Sequence, residues 1–103
     1  MPDWIPALPA ADLPPDSIKP FAHNGKIYVL CRTPTGTLHA LDGICTHAQV
    51  QLSYGSLVGN NIQCPQHGGR FDLASGKCRG GPVTVGLKTY PIREEAGEIQ
   101  IQL

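Results

Sequence analysis

Two cysteine–histidine pairs in an uncharged stretch constrain this chain more than any other feature of its sequence. The stretch covers residues 43–69 and contains no Asp, Glu, Lys or Arg. Near its start is Cys45-x-His47, and after sixteen intervening residues comes Cys64-x-x-His67. Cysteine thiolates and histidine imidazoles are ligands of zinc and of iron–sulfur centres. The pattern therefore predicts that a metal centre organises this part of the fold.

The order of these four residues separates two kinds of metal site. A zinc finger takes two Cys from one pair and two His from another, all on one tetrahedral ion. Here each pair mixes Cys with His, and the single residue between Cys45 and His47 leaves little room for both to reach one ion. If each pair gives its thiolate to one iron and its imidazole to a second, the result is the Rieske 2Fe–2S arrangement. A structural zinc site is the alternative, but zinc explains neither the mixed order nor the nearby glycines.

The residues beside the two pairs suit loops that wrap around a cluster. Pro65 favours an extended conformation for Cys64. Gly68 and Gly69 have no side chains, so their N–H groups can approach inorganic sulfide. The Gly-Gly-Pro run at residues 80–82 is predicted to form a third, covering loop.

The spacing of turn residues predicts an all-β fold. The chain has 103 residues, including 12 Gly and 10 Pro, which leaves little room for long helices. Turn signals recur roughly every 8–12 residues, as in a small antiparallel barrel or sandwich, and residues 1–103 are predicted to form a single domain. One helical turn is predicted near residues 10–13, before Pro14. The predicted turns lie at Asn24-Gly25, residues 33–36, Asn60-Asn61, Ser75-Gly76 and Ala96-Gly97.

Charge and hydropathy exclude several classes of partner. Eight basic residues balance eight acidic ones, which argues against a nucleic-acid or anionic-membrane partner. No apolar run reaches the roughly 18–20 residues of a membrane span, and the proline-broken N-terminus has no basic segment typical of a signal peptide. A cytoplasmic location is therefore expected, where cysteines serve as metal ligands or buried thiols more often than in disulfides.

From about Lys26 to the C-terminus the sequence resembles Rieske-type ferredoxins, particularly the ferredoxin components of bacterial aromatic-ring dioxygenases such as the naphthalene and carbazole systems. The resemblance rests on CTHAQVQLSYGSLVGNNIQCPQHGGRFDLASGK and the downstream GP…LKTYPI. It implies the Rieske fold, with a two-loop cluster-binding subdomain at about residues 43–82 and one 2Fe–2S cluster. Cys45 and Cys64 would bind the inner iron, and His47 and His67 the outer iron near the surface.

The resemblance also implies a function. The chain would be a monomeric one-electron carrier and not itself an enzyme. It would pass electrons from an NAD(P)H-dependent flavoprotein reductase to a Rieske non-haem iron terminal oxygenase in the degradation of aromatic compounds. The alternative within the same fold is the small Rieske-like subunit of an assimilatory nitrite reductase, although many of those subunits have lost the ligands that this chain keeps.

Two departures from the respiratory-chain Rieske proteins have consequences. Those relatives brace their loops with a disulfide at the positions of Val50 and Gln66, which this chain cannot form. They also place hydroxyl groups near the cluster where this chain has Gly69 and Phe71, so a potential low in the Rieske range is expected.

The remaining predictions concern the surface and the other Cys and His residues. The uncharged run surrounds the outer iron, so we expect docking there by shape and apolar contact, with weak dependence on ionic strength. Cys31 is predicted to be a buried thiol and Cys78 to be half-exposed, with a disulfide between them as a minor alternative. His23 and His39 are predicted to be surface residues and not ligands.

Overall fold

The computed structural model describes residues 3–46, 49–66, 68–81 and 84–103. Over these ranges the chain forms β-strands in three antiparallel sheets and two short 3-10 helices, Ala10–Asp12 and Leu52–Tyr54. This confirms the predicted all-β class and the helical turn before Pro14. The strands are β1 (Trp4–Pro9), β2 (Ser17–His23), β3 (Lys26–Arg32), β4 (Leu38–Asp42), β5 (Ser56–Val58), β6 (Asn61–Gln63), β7 (Arg70–Asp72), β8 (Cys78–Gly80), β9 (Thr89–Tyr90), β10 (Ile92–Glu95) and β11 (Glu98–Gln102).

The middle sheet has the order β2-β3-β4-β9 and is buried on both faces. Its first hairpin turns at Asn24-Gly25, as predicted, with φ of +50° and +78°, as a type I′ turn requires. Along β3, Val29 and Cys31 point into one apolar core, whereas Tyr28 and Leu30 point into the other. A strand covered on both faces has an unbroken apolar sequence, which is why this segment reads IYVLC.

The second sheet, β1-β11-β10, covers one face of the middle sheet. Ile99 and Ile101 of β11 are fully buried in the core between them. The sequence did not predict β1, because Pro6 and Pro9 interrupt it. The strand tolerates them because it is an edge strand that pairs only with β11.

The predicted strand KTYPIRE is divided at Pro91. Thr89 and Tyr90 pair with β4 of the middle sheet, whereas β10 pairs with β11 of the second sheet. Because proline has no N–H to donate, it suits the point where the chain leaves one sheet for the other. The turn at Ala96-Gly97 that follows is confirmed, with φ of +51° and +79°.

The third sheet, β5-β6-β7-β8, covers the opposite face of the middle sheet. Leu52, Ile62, Phe71 and Leu73 fill the core between them, and all are almost completely buried. The predicted turn at Asn60-Asn61 is one residue out, because Gly59 at φ +60° and Asn60 form the turn and Asn61 begins β6. None of the described helices is long and apolar enough to cross a membrane.

Candidate cluster-binding site

The first loop leaves the end of β4 through a tight backbone contact. The N–H of Asp42 donates to the carbonyl of Lys88, and that of Gly43 to the carbonyl of Ile27, both at 2.9 Å. A Cβ on Gly43 would lie 2.8 Å from the carbonyl carbon of Tyr28, so only glycine fits this approach. The loop continues through Cys45, and its far end is held by the N–H of Leu52, which donates to the carbonyl of Gly43 at 2.8 Å.

The two cysteines close their loops in the same way. The N–H of Cys45 donates to the carbonyl of Val50 at 2.8 Å, and the N–H of Cys64 to the carbonyl of Gly69 at 2.7 Å. In each case a six-residue loop is closed by a hydrogen bond from its first residue to its last. Each predicted histidine ligand, two or three residues after its cysteine, therefore falls inside such a loop. The loops thus present a matched pair of cysteine–histidine motifs.

The cysteine side chains meet in the core. Cys45 and Cys64 are each 1% exposed and belong to one apolar cluster with Phe71 and Ile62. Burial raises the pKa of Cys64, the N–H of Gln66 lowers it by a smaller amount, and the Cys45 thiol raises it again. A metal binds the thiolate form of cysteine, so metal binding would displace the proton from the buried Cys64 thiol.

These features fit a bound iron–sulfur centre. The site offers two sulfur ligands in contact, shielded from water, and beside them a loop whose glycines leave the backbone open. Gly68 has φ of +70°, and Gly69 is buried. His47 and His67, the predicted ligands of the outer iron, lie outside the described residues, so their part in the site stays a prediction.

A third segment packs against both loops. A Cβ on Gly81 would lie 2.9 Å from the carbonyl oxygen of Gly68 and 2.9 Å from the Cα of Gly69, so this glycine touches the second loop directly. Further along, the hydroxyl of Thr46 donates to the carbonyl of Val85 at 2.7 Å, which ties the segment to the first loop. The predicted covering role of residues 80–82 is supported at Gly81, whereas Pro82 lies outside the described residues. No pattern in the sequence predicted the hydrogen bond between Thr46 and Val85.

A charged network supports the base of the first loop. Asp42 accepts a hydrogen bond from the Tyr90 hydroxyl at 2.6 Å and pairs with Lys26 at 3.0 Å. The Lys26 ammonium also donates to the Tyr90 hydroxyl at 3.0 Å. Burial alone would raise the pKa of Asp42, but the hydrogen bonds from Tyr90, Lys26 and the N–H of Lys88 together hold this pKa below its usual value. Hydrogen bonds with Tyr90 and Asp42 raise the pKa of Lys26.

The other cysteines and histidines occupy separate positions. Cys31 is a fully buried free thiol, which confirms the prediction, and burial raises its pKa to about 12. Cys78 is a half-buried free thiol. His23 and His39 were expected at the surface, but both are half-buried. His23 stacks on Phe21, and burial lowers the pKa of His39.

The described residues of the two loops carry no charge, as the sequence predicts. Gln49 and Gln66 are exposed, and Val50 and Gly68 are half-buried, whereas Ala48 lies outside the described residues. Among the described residues, the two most exposed large apolar side chains are Tyr54 and Val85, at 73% and 61%. Exposure of this kind depends on the tertiary fold and could not be deduced from the sequence.

Comparison with known proteins agrees with this geometry. Residues 3–91 match the family model of the Rieske [2Fe-2S] domain. The chain is 36% identical to the ferredoxin component of the naphthalene 1,2-dioxygenase system of Pseudomonas aeruginosa, over 97% of this chain and 95% of that protein. The fold matches a solved complex of reduced oxygenase and oxidised ferredoxin in carbazole 1,9a-dioxygenase, with a TM-score of 0.88, 30% identity and coverage of 96% and 92%.

A further likeness shows the fold alone. A protein described as an NADH-dependent nitrite reductase small subunit, from Mycobacterium tuberculosis, superposes with a TM-score of 0.88 over all of this chain and 96% of that one, but with 24% identity. The same fold therefore occurs in a protein described as a dioxygenase ferredoxin and in one described as a nitrite reductase subunit.

Proposed function

Because the chain belongs to the Rieske [2Fe-2S] family and carries electrons, we propose a specific route for those electrons. It receives them from an NAD(P)H-dependent flavoprotein reductase. It passes them singly to a Rieske non-haem iron terminal oxygenase that attacks aromatic compounds. Relatives of nearly the same length are named as ferredoxin components of dioxygenase systems, which supports this role. The four free cysteines suit a monomer in the reducing cytoplasm.

One observation carries the proposal: two equally closed loops bring the Cys45 and Cys64 thiols together in a buried position. We infer that these thiolates hold one iron and that His47 and His67 hold the other, within a subdomain at residues 43–82. When bound, the cluster takes up and releases one electron at a time. The separate closure of each loop supports this assignment, because each loop contains one of the cysteines and one of the histidines in its sequence.

The surrounding residues set the properties of the site. Phe71, Leu52 and Ile62 form an apolar floor that keeps water from the sulfur ligands. The backbone of Gln66 lowers the pKa of Cys64 and so favours negative charge on its sulfur. Because Gly69 and Phe71 offer no hydroxyl donors, we infer a potential near the lower end of the roughly −150 to +300 mV Rieske range.

The exposed edge of the two loops is the proposed route for electrons. Electron transfer between proteins requires the two centres to approach closely, and the loops reach the surface at Gln49 and Gln66. With one cluster there is one such edge, so reductase and oxygenase would use it in turn. The solved complex of a ferredoxin with its oxygenase is a precedent for the second encounter.

Reconstitution tests the proposal. The chain is mixed with NADH, a flavoprotein ferredoxin reductase, a terminal oxygenase and an aromatic substrate, and product is measured as a function of chain concentration. We expect turnover that requires the chain and is lost in Cys64→Ala. Rapid reduction of the chain without oxygenase turnover, together with electron delivery to a nitrite reductase catalytic subunit, would instead favour the nitrite reductase alternative.

A further inference from the structure

An arginine without an acidic partner stands beside the second cluster loop. Arg70 follows Gly69 directly and is exposed. Its side chain does not extend freely, because its Nε donates to Oε1 of Gln63 at 3.0 Å across the β6–β7 pair. Among the described residues, the ion pairs are Lys26–Asp42, Arg32–Glu94, Arg79–Asp72 and Arg93–Glu95, and none of them includes Arg70.

Gln63 fixes where this arginine lies. Its Nε2 is 3.6 Å from the position that a Cβ on Gly68 would occupy, so the Gln63 side chain rests against the second loop. Gln63 also precedes the ligand Cys64. The guanidinium of Arg70 is therefore held next to the loop that contains His67, with its remaining N–H groups available to a partner.

The distribution of charge points the same way. Residues 43–82 contain three cations, Arg70, Lys77 and Arg79, and one anion, Asp72. The rest of the chain has five cations and seven anions. A chain with no net charge is thus divided into a positive cluster-binding part and a negative remainder. Such a division orients an approaching charged protein before contact.

Two exposed apolar residues, Val85 and Tyr54, are connected to the two cluster loops through backbone contacts. Val85 accepts the hydrogen bond from Thr46 of the first loop. Tyr54 precedes Gly55, where a Cβ would overlap the carbonyl oxygen of Gln63. Tyrosine and arginine are enriched at the centres of protein interfaces, where a desolvated arginine bonds a carboxylate in a bidentate fork.

We propose that Arg70 binds a carboxylate on the surface of the flavoprotein reductase, with Tyr54 and Val85 as apolar contacts to the same partner. The inference rests on the proposed function, because it concerns the partner that exchanges electrons with the cluster. It modifies the expectation of weak salt dependence, which considered only residues of the uncharged run. The β6–β7 register adds one oriented cation to that surface, so the partner's matching surface is acidic.

Rapid-mixing kinetics of the cluster-loaded chain tests this inference. The second-order rate constant for reduction by a flavoprotein reductase is measured against ionic strength for wild type, Arg70→Gln, Arg70→Lys and Lys19→Gln. Lys19 is the matched control, because it is exposed and shares a side of the middle sheet with its cross-strand neighbour Leu30, which faces the core remote from the loops. The visible spectrum of each variant checks that the cluster is intact.

We expect Arg70→Gln to slow reduction roughly three- to tenfold at low salt, with the difference disappearing at high salt. Arg70→Lys keeps the charge but cannot form the bidentate fork, so its rate should lie between those of wild type and Arg70→Gln, and Lys19→Gln should match wild type. Equal rates for Arg70→Gln and Lys19→Gln, with fast reduction of wild type, would overturn the inference and leave the proposed function standing. Failure of wild type to accept electrons at any salt concentration would overturn both.

Discussion

Replacement of Gly81 by alanine tests how the covering segment holds the second cluster loop. Gly81 has φ of +74°, and its missing Cβ would lie 2.9 Å from two backbone atoms of Gly68 and Gly69. Alanine in this conformation costs about 1–2 kcal/mol by itself. Separating two backbones in close contact adds about 1–3 kcal/mol, the usual cost of overpacking.

The matched control is Gly59→Ala, in the β5–β6 turn of the same sheet. Gly59 has φ of +60°, and an added Cβ there would meet no atom within 4 Å. Alanine at position 59 therefore has the conformational cost of positive φ but meets no steric clash. If cluster release requires the second loop to open, the extra 1–3 kcal/mol makes release from Gly81→Ala roughly 5- to 150-fold faster than from Gly59→Ala.

The assay follows the decay of visible absorption in the presence of an iron chelator, with far-ultraviolet circular dichroism as a check on the fold. Equal rates of cluster loss in the two glycine variants would show that contact between Gly81 and the second loop does not retain the cluster.

Two further predictions concern the cores and the charged network. Replacement by alanine of Ile62 in one core or Ile99 in the other should lower the free energy of unfolding by about 2–5 kcal/mol. Only Ile62→Ala should also speed cluster loss, because Ile62 shares its core with the two cysteines. Comparable cluster loss in both variants would argue against two separate cores. Asp42→Asn should lower the free energy of unfolding at neutral pH by roughly 1–2 kcal/mol, discounted for partial exposure. Because the folded pKa of Asp42 is lowered, this contribution is complete above the unfolded pKa of about 3.9 and disappears as pH falls through the folded pKa, so denaturation curves of wild type and variant should converge in acid. A gap that persists there would show that the Asp42 charge is not its source.

Local chemistry made part of the fold predictable. Asn24-Gly25 and Ala96-Gly97 form turns as expected, because both residues of such a turn need positive φ and Asn and Gly adopt it readily, whereas Ala96 takes it at some conformational cost beside Gly97. The turn after β5 was misplaced by one residue because Asn60-Asn61 looked like a turn pair, whereas Gly59 takes the positive φ. Strand β1 was missed because its partner β11 lies at the other end of the chain, and no local pattern reports that pairing.

The candidate site was likewise predictable from the sequence only in part. The order of cysteines and histidines indicated the kind of centre, because ligand spacing follows from local geometry. The equal closure of the two loops, the contact of Thr46 with Val85 and the place of Arg70 depend on strand pairing and were not visible in the sequence. His39 seemed exposed because it alternates with Leu38 and Ala40, which face one core. Its own face is covered by the third sheet, where it shares a cleft with Leu73 and Ala74.

We infer that the cluster has sulfur ligands from Cys45 and Cys64 and nitrogen ligands from His47 and His67. Pulsed magnetic resonance of the reduced protein tests this ligand set. The chain is labelled with ¹⁵N-histidine and compared with a His23→Gln/His39→Gln double variant, which keeps only the two predicted ligands. We expect couplings from two histidine nitrogens in the wild type, unchanged in the double variant. No histidine coupling in the wild type, or its loss in the double variant, would contradict the ligand assignment.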